Sequence, residues 1–236
     1  MKVFGNAMSG SLLKTVINKR QRYQAGAGLP PVDRFQREVE RLAVRLEPQC
    51  FTEQLSIVNP QGEPTGHEAP RWFVHLMGLQ HLTARVALFT EREMILQVRS
   101  GKRPGTQGMI DLTAGGHVLA GRTPLETAYR ELFEEIGISG INLAGGNLIP
   151  VGQTPVQIVE KPYDHTVNAE INVLFAGRLK QQALPKIRID CQEVENLSLQ
   201  TAEDLRELAN SPLASSSLCF CLPIYLENLR HFMSRK

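Results

Sequence analysis

The segment GGHVLAGRTPLETAYRELFEEIGI, residues 115–138, combines two adjacent glycines with the pattern of an amphipathic helix. Thr123, Pro124 and Glu126 form a helix start signal within it. Thr caps a helix, Pro suits the first helical position, and a Glu three residues after the cap completes a capping box. Gly137 suits the left-handed residue that ends many helices. The stretch therefore predicts a helix that begins after Thr123 and ends before Gly137, with a glycine turn upstream.

This helix is predicted to have two different faces. Apolar residues recur at helical spacing and are expected to share one buried stripe, which comprises Leu125, Ala128, Tyr129, Leu132, Phe133 and Ile136. Three acids, Glu131, Glu134 and Glu135, are expected to project from roughly the opposite side.

The acidic face favours a metal site over a solvated surface. Solvated acidic faces usually carry Lys or Arg one turn away, and Glu134 has Arg130 at that distance. Glu131 and Glu135 have no such partner and stand four residues apart, where like charges repel by roughly 0.2–0.5 kcal/mol. Magnesium or manganese would turn this repulsion into coordination, because both ions prefer carboxylate oxygen. The spacing therefore indicates a divalent cation, and such a cation attracts a diphosphate.

The same residues resemble the signature of the Nudix hydrolase superfamily. That signature runs Gly, five residues, Glu, seven residues, then Arg-Glu-apolar-x-Glu-Glu-x-Gly-apolar. It falls here on Gly116, Arg130, Glu131, Leu132, Glu134, Glu135, Gly137 and Ile138. Arg122 stands where the signature has its first Glu. This substitution places a cation near Arg130, which would weaken metal affinity, reshape the site or mark an inactive relative.

The resemblance extends over roughly residues 53–210 and implies the fold. It implies an α+β chain with a Nudix-type α/β/α sandwich around a mixed central sheet. Strands are predicted over 54–59, 84–90, 94–99, 148–159 and 169–179, and helices over 201–209 and around 222–233. Thr201 is the expected cap of the first of these helices, with Asp204 three residues later.

The order of these segments is similar to a Nudix branch that includes isopentenyl-diphosphate isomerase and its hydrolase-like relatives. In the isomerases, the positions of His75, His81 and His117, together with acids at 168 and 170, help to hold a metal. This chain has Asn168 and Glu170 there. The isomerases also use a catalytic Cys where this chain has Gly115, and Gly cannot move a proton. Hydrolysis is therefore favoured over isomerisation.

The function predicted from these features is metal-dependent hydrolysis of a diphosphate linkage. The substrate would be a nucleoside diphosphate derivative or a similar small diphosphate, and the cofactor Mg²⁺ or Mn²⁺. The alternatives are an isomerase-like activity and a non-catalytic nucleotide-binding Nudix module. The predicted metal ligands are Gly116, His117, Glu131, Glu134 and Glu135. The same three glutamates and Glu170 are the predicted catalytic residues, and Glu170, Glu131 or Glu193 would be the base. Arg99, Lys102 and Arg130 are predicted to bind the substrate, with Arg103 on the same loop.

Composition and charge exclude other classes of partner. The formal net charge of +2 and an aromatic content of 6% argue against a nucleic-acid platform. No apolar run reaches membrane-spanning length. Four cysteines without paired metal spacing favour a reducing compartment, so a cytoplasmic location is predicted.

The N-terminal part is predicted to be separate from the domain over residues 49–236. Residues 1–32 contain basic residues and no acid, as in an organelle transit segment or a flexible bacterial tail. Residues 32–46 follow a helical pattern, and this accessory helix would pack on the domain or on a second subunit in a homodimer. Residues 1–48 are therefore expected to form an N-terminal helical extension.

Overall fold

A computed structural model describes residues 52–102, 106–161 and 166–232. The predicted N-terminal tail and accessory helix, and the start of the predicted domain at residue 49, lie outside these residues. The contacts within the chain define two compact units. The described part of the first unit lies within residues 52–81 and 158–170, and that of the second within residues 82–157 and 171–232.

The first unit contains a hairpin and a short helix. Strands β1 (Gln54–Val58) and β2 (Pro64–Pro70) pair antiparallel around a turn that the Asn59 side chain stabilises by accepting the backbone N–H groups of Gln61 and Glu63. Helix α1 (Arg71–Met77) follows and ends at Gly78, whose φ of 62° is left-handed. No helix was predicted at these residues. Its seven residues are nearly all buried, so no amphipathic period was visible.

The second unit is built on a larger sheet. Its central strands are β3 (Gln80–Phe89), β4 (Met94–Arg99), β7 (Ile149–Gln153), β9 (Thr166–Arg178) and β10 (Val194–Gln200), in the order β10-β4-β3-β9-β7. The short strands β5 (Ile110–Asp111) and β6 (Ala114–His117) pair with β4 and β3, and β8 (Gln157–Lys161) pairs with β9. The first residues of β3 and β9, and all of β8 except Gln157, belong to the first unit.

Helices cover both faces of this sheet, and strand alternation explains why. Leu88 and Val86 of β3 join Phe175 of β9 in a core with helix α2 (Pro124–Ile136). Alternate residues of the same strands, Phe89 and Leu174, join a second core with helices α3 (Ala202–Leu208) and α4 (Ser216–Phe232). Since successive side chains on a strand point to opposite faces, one apolar strand supplies both cores. The predicted α/β/α sandwich with an α+β composition is confirmed.

Most predicted elements appear, and several have different bounds. Strands β3 and β9 begin at Gln80 and Thr166, before the predicted starts at residues 84 and 169. The predicted strand over 148–159 is two strands, β7 and β8, because Pro155 between them has no N–H to donate to a ladder. Helix α4 begins at Ser216, earlier than the predicted start near 222, and it contains Pro223. Thr201 caps α3 and forms a capping box with Asp204, as predicted. None of the helices in the described residues is long and apolar enough to span a membrane.

Candidate active site

The helix α2 is positioned by the end signals that the sequence predicts. The Thr123 hydroxyl accepts the backbone N–H of Glu126, and the Glu126 carboxylate accepts the backbone N–H of Thr123, which completes the capping box. At the other end Gly137 has a φ of 71°, and its backbone N–H donates to Phe133 O. The ends of α2 thus fix where its acids lie relative to the sheet.

The predicted buried stripe of α2 is wrong at two positions. Ala128, Leu132 and Ile136 are buried, and the hydroxyl of the half-buried Tyr129 accepts the backbone N–H of Leu148. However, Leu125 is 41% exposed and Phe133 is 63% exposed. At about 100° per residue, Phe133 lies about 100° from the centre of the arc formed by Ala128, Leu132 and Ile136, beyond the reach of the sheet. Leu125 lies within this arc but in the first turn of the helix.

The prediction that all three glutamates face away from the core is also wrong, because Glu135 is buried. It lies only about 60° from the centre of the apolar arc. Gln97 of β4 donates its amide N–H to Glu135 Oε2 at 2.9 Å, and the backbone N–H of Gly115 donates to Oε1 at 3.2 Å. Burial, and then the charge of Glu131, raises the pKa of Glu135 to about 8, although Gly115, Arg99 and Gln97 oppose the shift. The two hydrogen bonds therefore hold the Glu135 carboxyl in one orientation, and a nearby cation would favour its ionised form.

Glu131 lies against the glycine strand. A Cβ added to Gly116 would overlap the Glu131 carboxylate, so only glycine allows this approach. The Glu131 side chain is 13% exposed. The structure therefore brings Glu131 and Glu135 to the strand that carries Gly115 and Gly116, as the predicted site requires.

Arg130 engages two of the acids. Its Nη2 lies 2.6 Å from Glu131 Oε1, and its Nη1 lies 3.0 Å from Oε2 of the more exposed Glu134. The helical spacing indicated the pair of Arg130 with Glu134, and the structure adds a pair with the adjacent Glu131, which has no basic residue one turn away. Arg122, the departure from the signature, is exposed and lowers the pKa of Glu126 after the larger effects of the Thr123 hydrogen bonds. Electrostatically, then, Arg122 acts at the start of α2.

The predicted substrate-binding cations have different environments. Arg99 forms an ion pair with Asp111, with Nη1 to Oδ2 at 2.9 Å, and its Nε donates to Thr106 Oγ1 at 3.1 Å. Lys102 is exposed. Arg103 lies outside the described residues.

Glu170, His75 and His81 belong to the first unit. The rings of His75 and His81 have centroids 5.1 Å apart, and His81 Nε2 lies 3.9 Å from Glu170 Oε1. Asn168 donates its amide N–H to the same Oε1 at 2.6 Å. His117 belongs to the second unit, where it pairs with Thr83 across β6 and β3. Glu193, the other candidate base, is half-buried, and its carbonyl accepts the backbone N–H of Ser100.

Three polar residues near the glycines, Gln97, Arg85 and Asn172, were not predicted from the sequence. Gln97 orients Glu135, and Arg85 donates its Nε–H to Asn172 Oδ1 at 3.0 Å. All three are buried. Each is a polar residue within a predicted strand that is otherwise largely apolar, and that was the available signal, since a buried polar group needs a partner.

Comparison with known proteins points to one family. The family model described as NUDIX domain matches residues 79–217. The chain is 38% identical over 88 residues to Nudix hydrolase 3 of Arabidopsis thaliana, covering 36% of this chain and 11% of that protein. It is 34% identical over 94 residues to an uncharacterized Nudix hydrolase of Listeria monocytogenes, covering 39% of this chain and 55% of that protein. The chain therefore spans about half or less of the length of these two relatives.

A more distant relative and a solved structure extend the comparison. The chain is 29% identical over 140 residues to isopentenyl-diphosphate Delta-isomerase of Streptomyces avermitilis, covering 58% of this chain and 66% of that protein. The crystal structure of DR0079 from Deinococcus radiodurans has the same fold, with a TM-score of 0.55 and 18% identity, covering 72% of this chain and 98% of that one. Because the NUDIX domain model matches more than half of the residues, this chain belongs to the Nudix family.

Proposed function

We propose that this chain hydrolyses a diphosphate linkage in a nucleoside diphosphate derivative or a similar small diphosphate. Mg²⁺ or Mn²⁺ would be the cofactor. One observation carries the proposal: the carboxylates of Glu131 and Glu135 converge on the strand of Gly115 and Gly116. Membership of the Nudix family supports it.

The residues present fit a hard divalent cation. The charge of Glu131 raises the pKa of Glu135, so the two carboxyls are close enough to repel each other. A divalent cation between such groups would remove the repulsion, and oxygen ligands suit Mg²⁺ and Mn²⁺. We infer that Glu131, Glu134 and Glu135, the carbonyl of Gly116 and His117 would hold the ion. Arg130 would have to turn away from Glu131 and Glu134 to let them bind it.

The chemistry would be attack of water on phosphorus with cleavage of one P–O bond. The cation, when bound, would neutralise charge on phosphate oxygens and make a water more acidic. Gln97 and Gly115 orient Glu135 for this role through their hydrogen bonds. Glu170, Glu131 or Glu193 would accept the proton of the attacking water, and this assignment stays a prediction from the sequence.

Three basic residues remain our candidates for binding the substrate. Lys102 is exposed, and its Nζ has only a long contact of 4.0 Å with Cys191 Sγ to give up for a phosphate. Arg99 would contribute through a side chain already oriented by Asp111. Arg130 would become available once a cation replaced it at Glu131 and Glu134. The cytoplasmic location and the homodimer likewise remain predictions.

The test is a metal-dependent screen of a diphosphate panel with mass-spectrometric detection of products. We expect turnover with Mg²⁺ or Mn²⁺, and a loss of about 100-fold or more in Glu134→Gln and Glu135→Gln, since each removes a charge from the cation site. Glu207→Gln on α3 is the matched control, because Glu207 is exposed and remote in sequence from the motif. It should keep wild-type activity.

The same screen separates the alternatives. Interconversion of isopentenyl and dimethylallyl diphosphate without phosphate release would identify an isomerase. Binding of a nucleotide without turnover of any panel member, beside a working positive control, would identify a non-catalytic module. Either result would refute the proposed hydrolase.

A further inference from the structure

Arg85 lies directly against the glycine strand, on the face opposite Glu131. It pairs in register with Gly115 across β3 and β6. A Cβ added to Gly115 would lie 2.7 Å from Arg85 Cδ and 3.1 Å from Arg85 Nη1. The side chain of Arg85 therefore fills the space that a side chain at residue 115 would need. This includes the Cys that the isomerases carry at this position.

A network of amides and hydroxyls orients Arg85. Its Nε donates to Asn172 Oδ1 at 3.0 Å, and the Thr83 hydroxyl donates to the same oxygen at 2.8 Å. The Asn172 amide N–H groups donate to Gln157 Oε1 at 2.8 Å and to Thr154 Oγ1 at 3.3 Å. Each of these residues is buried. Because Asn172 is held on both sides, the direction of the Arg85 guanidinium is set before any ligand binds.

This polar network interrupts an apolar sheet face. Further along the same face, Ala87 and Phe89 of β3 and Leu174 and Ala176 of β9 pack in the core with α3 and α4. Apolar residues at 85 and 172 would extend that core. A buried Arg instead carries a desolvation penalty of several kcal/mol, and replacing buried ionic groups by apolar ones is often stabilising. Stability alone does not explain why the network lies beside the glycine strand.

We propose that Arg85 binds a phosphate group of the diphosphate substrate. A guanidinium is charged at every physiological pH, and its planar fork matches two phosphate oxygens. The position beside Gly115 places this cation one strand away from the acids that would hold the metal. The identity of the substrate as a diphosphate rests on the proposed function. Arg85 is thus a substrate-binding residue, and Gly115 is the residue that leaves room for it.

The direct test is calorimetric binding of inorganic pyrophosphate to the full chain in EDTA, so that no metal contributes. The wild type should bind, and Arg85→Gln should weaken binding about tenfold or more, the size expected for losing a charge-assisted hydrogen bond. Arg85→Lys should keep part of the affinity, because it retains the charge and loses the fork. Arg92→Gln is the matched control, since Arg92 is exposed on the turn between β3 and β4. It should leave binding unchanged.

Asn172→Asp provides a second variant that preserves shape. The carboxylate would lie on Arg85 Nε and neutralise the guanidinium, so pyrophosphate binding should fall. It cannot donate to Gln157 Oε1 or Thr154 Oγ1 as the amide does, so the thermal midpoint should fall as well, and affinity is compared at a temperature where both proteins are folded. If Arg85→Gln does not fold, Asn172→Asp and Arg85→Lys decide the matter. A purely structural Arg85 would predict unaltered pyrophosphate affinity in whichever of these variants fold.

The outcomes distinguish this inference from the proposed hydrolysis. No pyrophosphate binding by the wild type, or equal binding by the wild type and the folded Arg85 variants, would overturn the role of Arg85 even if the enzyme turned over diphosphates. Arg85-dependent binding without turnover of any diphosphate would support the role of Arg85 and contradict only the proposed reaction.

Discussion

Gly115 and Gly116 are neighbours on β6, yet their missing side chains make room for groups of opposite charge. The space beside Gly116 holds the Glu131 carboxylate, and the space beside Gly115 holds Arg85. Because successive residues of a strand face opposite sides, the two glycines separate an acidic face from a basic one by a single strand. The comparison shows that adjacent glycines in one motif can be required for different reasons. Gly116 leaves room for the Glu131 carboxylate, and Gly115 leaves room for the Arg85 guanidinium.

The largest effect on the acidic face should come from Glu135→Gln in the metal-free protein. The folded pKa of about 8 lies above the ordinary value of 4.5, so folding disfavours the charged form. Wild-type stability should therefore fall as pH rises from about 4.5 to about 8 and then level off, with a ceiling of about 5 kcal/mol. The variant should lack this slope.

Urea unfolding in EDTA at pH 6 and pH 9 checks this prediction. Glu135→Gln should be the more stable protein at pH 9 by a few kcal/mol, and the advantage should shrink at pH 6. Glu207→Gln should follow the wild type at both values. If the free energy of unfolding changed with pH in the same way for the wild type and Glu135→Gln, ionisation of Glu135 would not destabilise the folded protein.

The two glycines themselves give the next effect. Gly115→Ala should cost about 1–3 kcal/mol, because its Cβ would lie 2.8 Å from the backbone oxygen of Ala84, which cannot easily move. Gly116→Ala should cost less than about 1 kcal/mol, because the Glu131 carboxylate can rotate away. Chemical denaturation of both variants measures the difference. Equal losses of stability would show that the backbone contact at Gly115 and the side-chain contact at Gly116 are relieved equally easily.

Tyr225→Phe tests whether the core next to Arg85 can be destabilised without a loss of pyrophosphate affinity. The Tyr225 hydroxyl donates to Phe175 O at 2.8 Å and lies 3.2 Å from Arg85 O, and the residue is fully buried. Losing this donor should cost about 1–2 kcal/mol of stability. Pyrophosphate affinity should be unchanged within about twofold, since only backbone oxygens lose a partner. A large loss of affinity would place Tyr225 in the binding network as well.

The smallest effect concerns Arg130 on the acidic face. Arg130→Gln should raise Mn²⁺ affinity about three- to tenfold, because it removes a cation from Glu131 and Glu134. Electron paramagnetic resonance of free Mn²⁺ measures this without reference to turnover. Arg122→Gln is the control, and it should change affinity less because Arg122 is exposed at the start of α2. Weaker Mn²⁺ binding in Arg130→Gln would show that Arg130 orients the acids.

Helix α2 could be predicted because its signals are local, whereas the predicted glycine turn is wrong, since Gly115 and Gly116 lie in strand β6. The cap at Thr123, the capping box with Glu126 and the left-handed Gly137 each involve residues a few positions apart. The expectation that these acids bind a metal also came from their spacing on one helix, and it remains a prediction. By contrast, the burial of Glu135 and the exposure of Phe133 depended on how α2 is rotated against the sheet. The helical period alone does not set this rotation, because acids and apolar residues both occur at the edges of the apolar face of α2.

Short-range spacing in the sequence indicated helix α2 and its three acids. The family and the layered fold were expected from the resemblance to the Nudix signature. Tertiary packing set three contacts that the spacing did not indicate: Gln97 with Glu135, Arg130 with two acids, and Arg85 with Gly115. The contacts of Gln97 and Arg85 join residues on different elements, where strand pairing and helix packing place a partner beside a buried polar group. A buried polar residue shows in the sequence that it needs a partner, but only the fold shows which one.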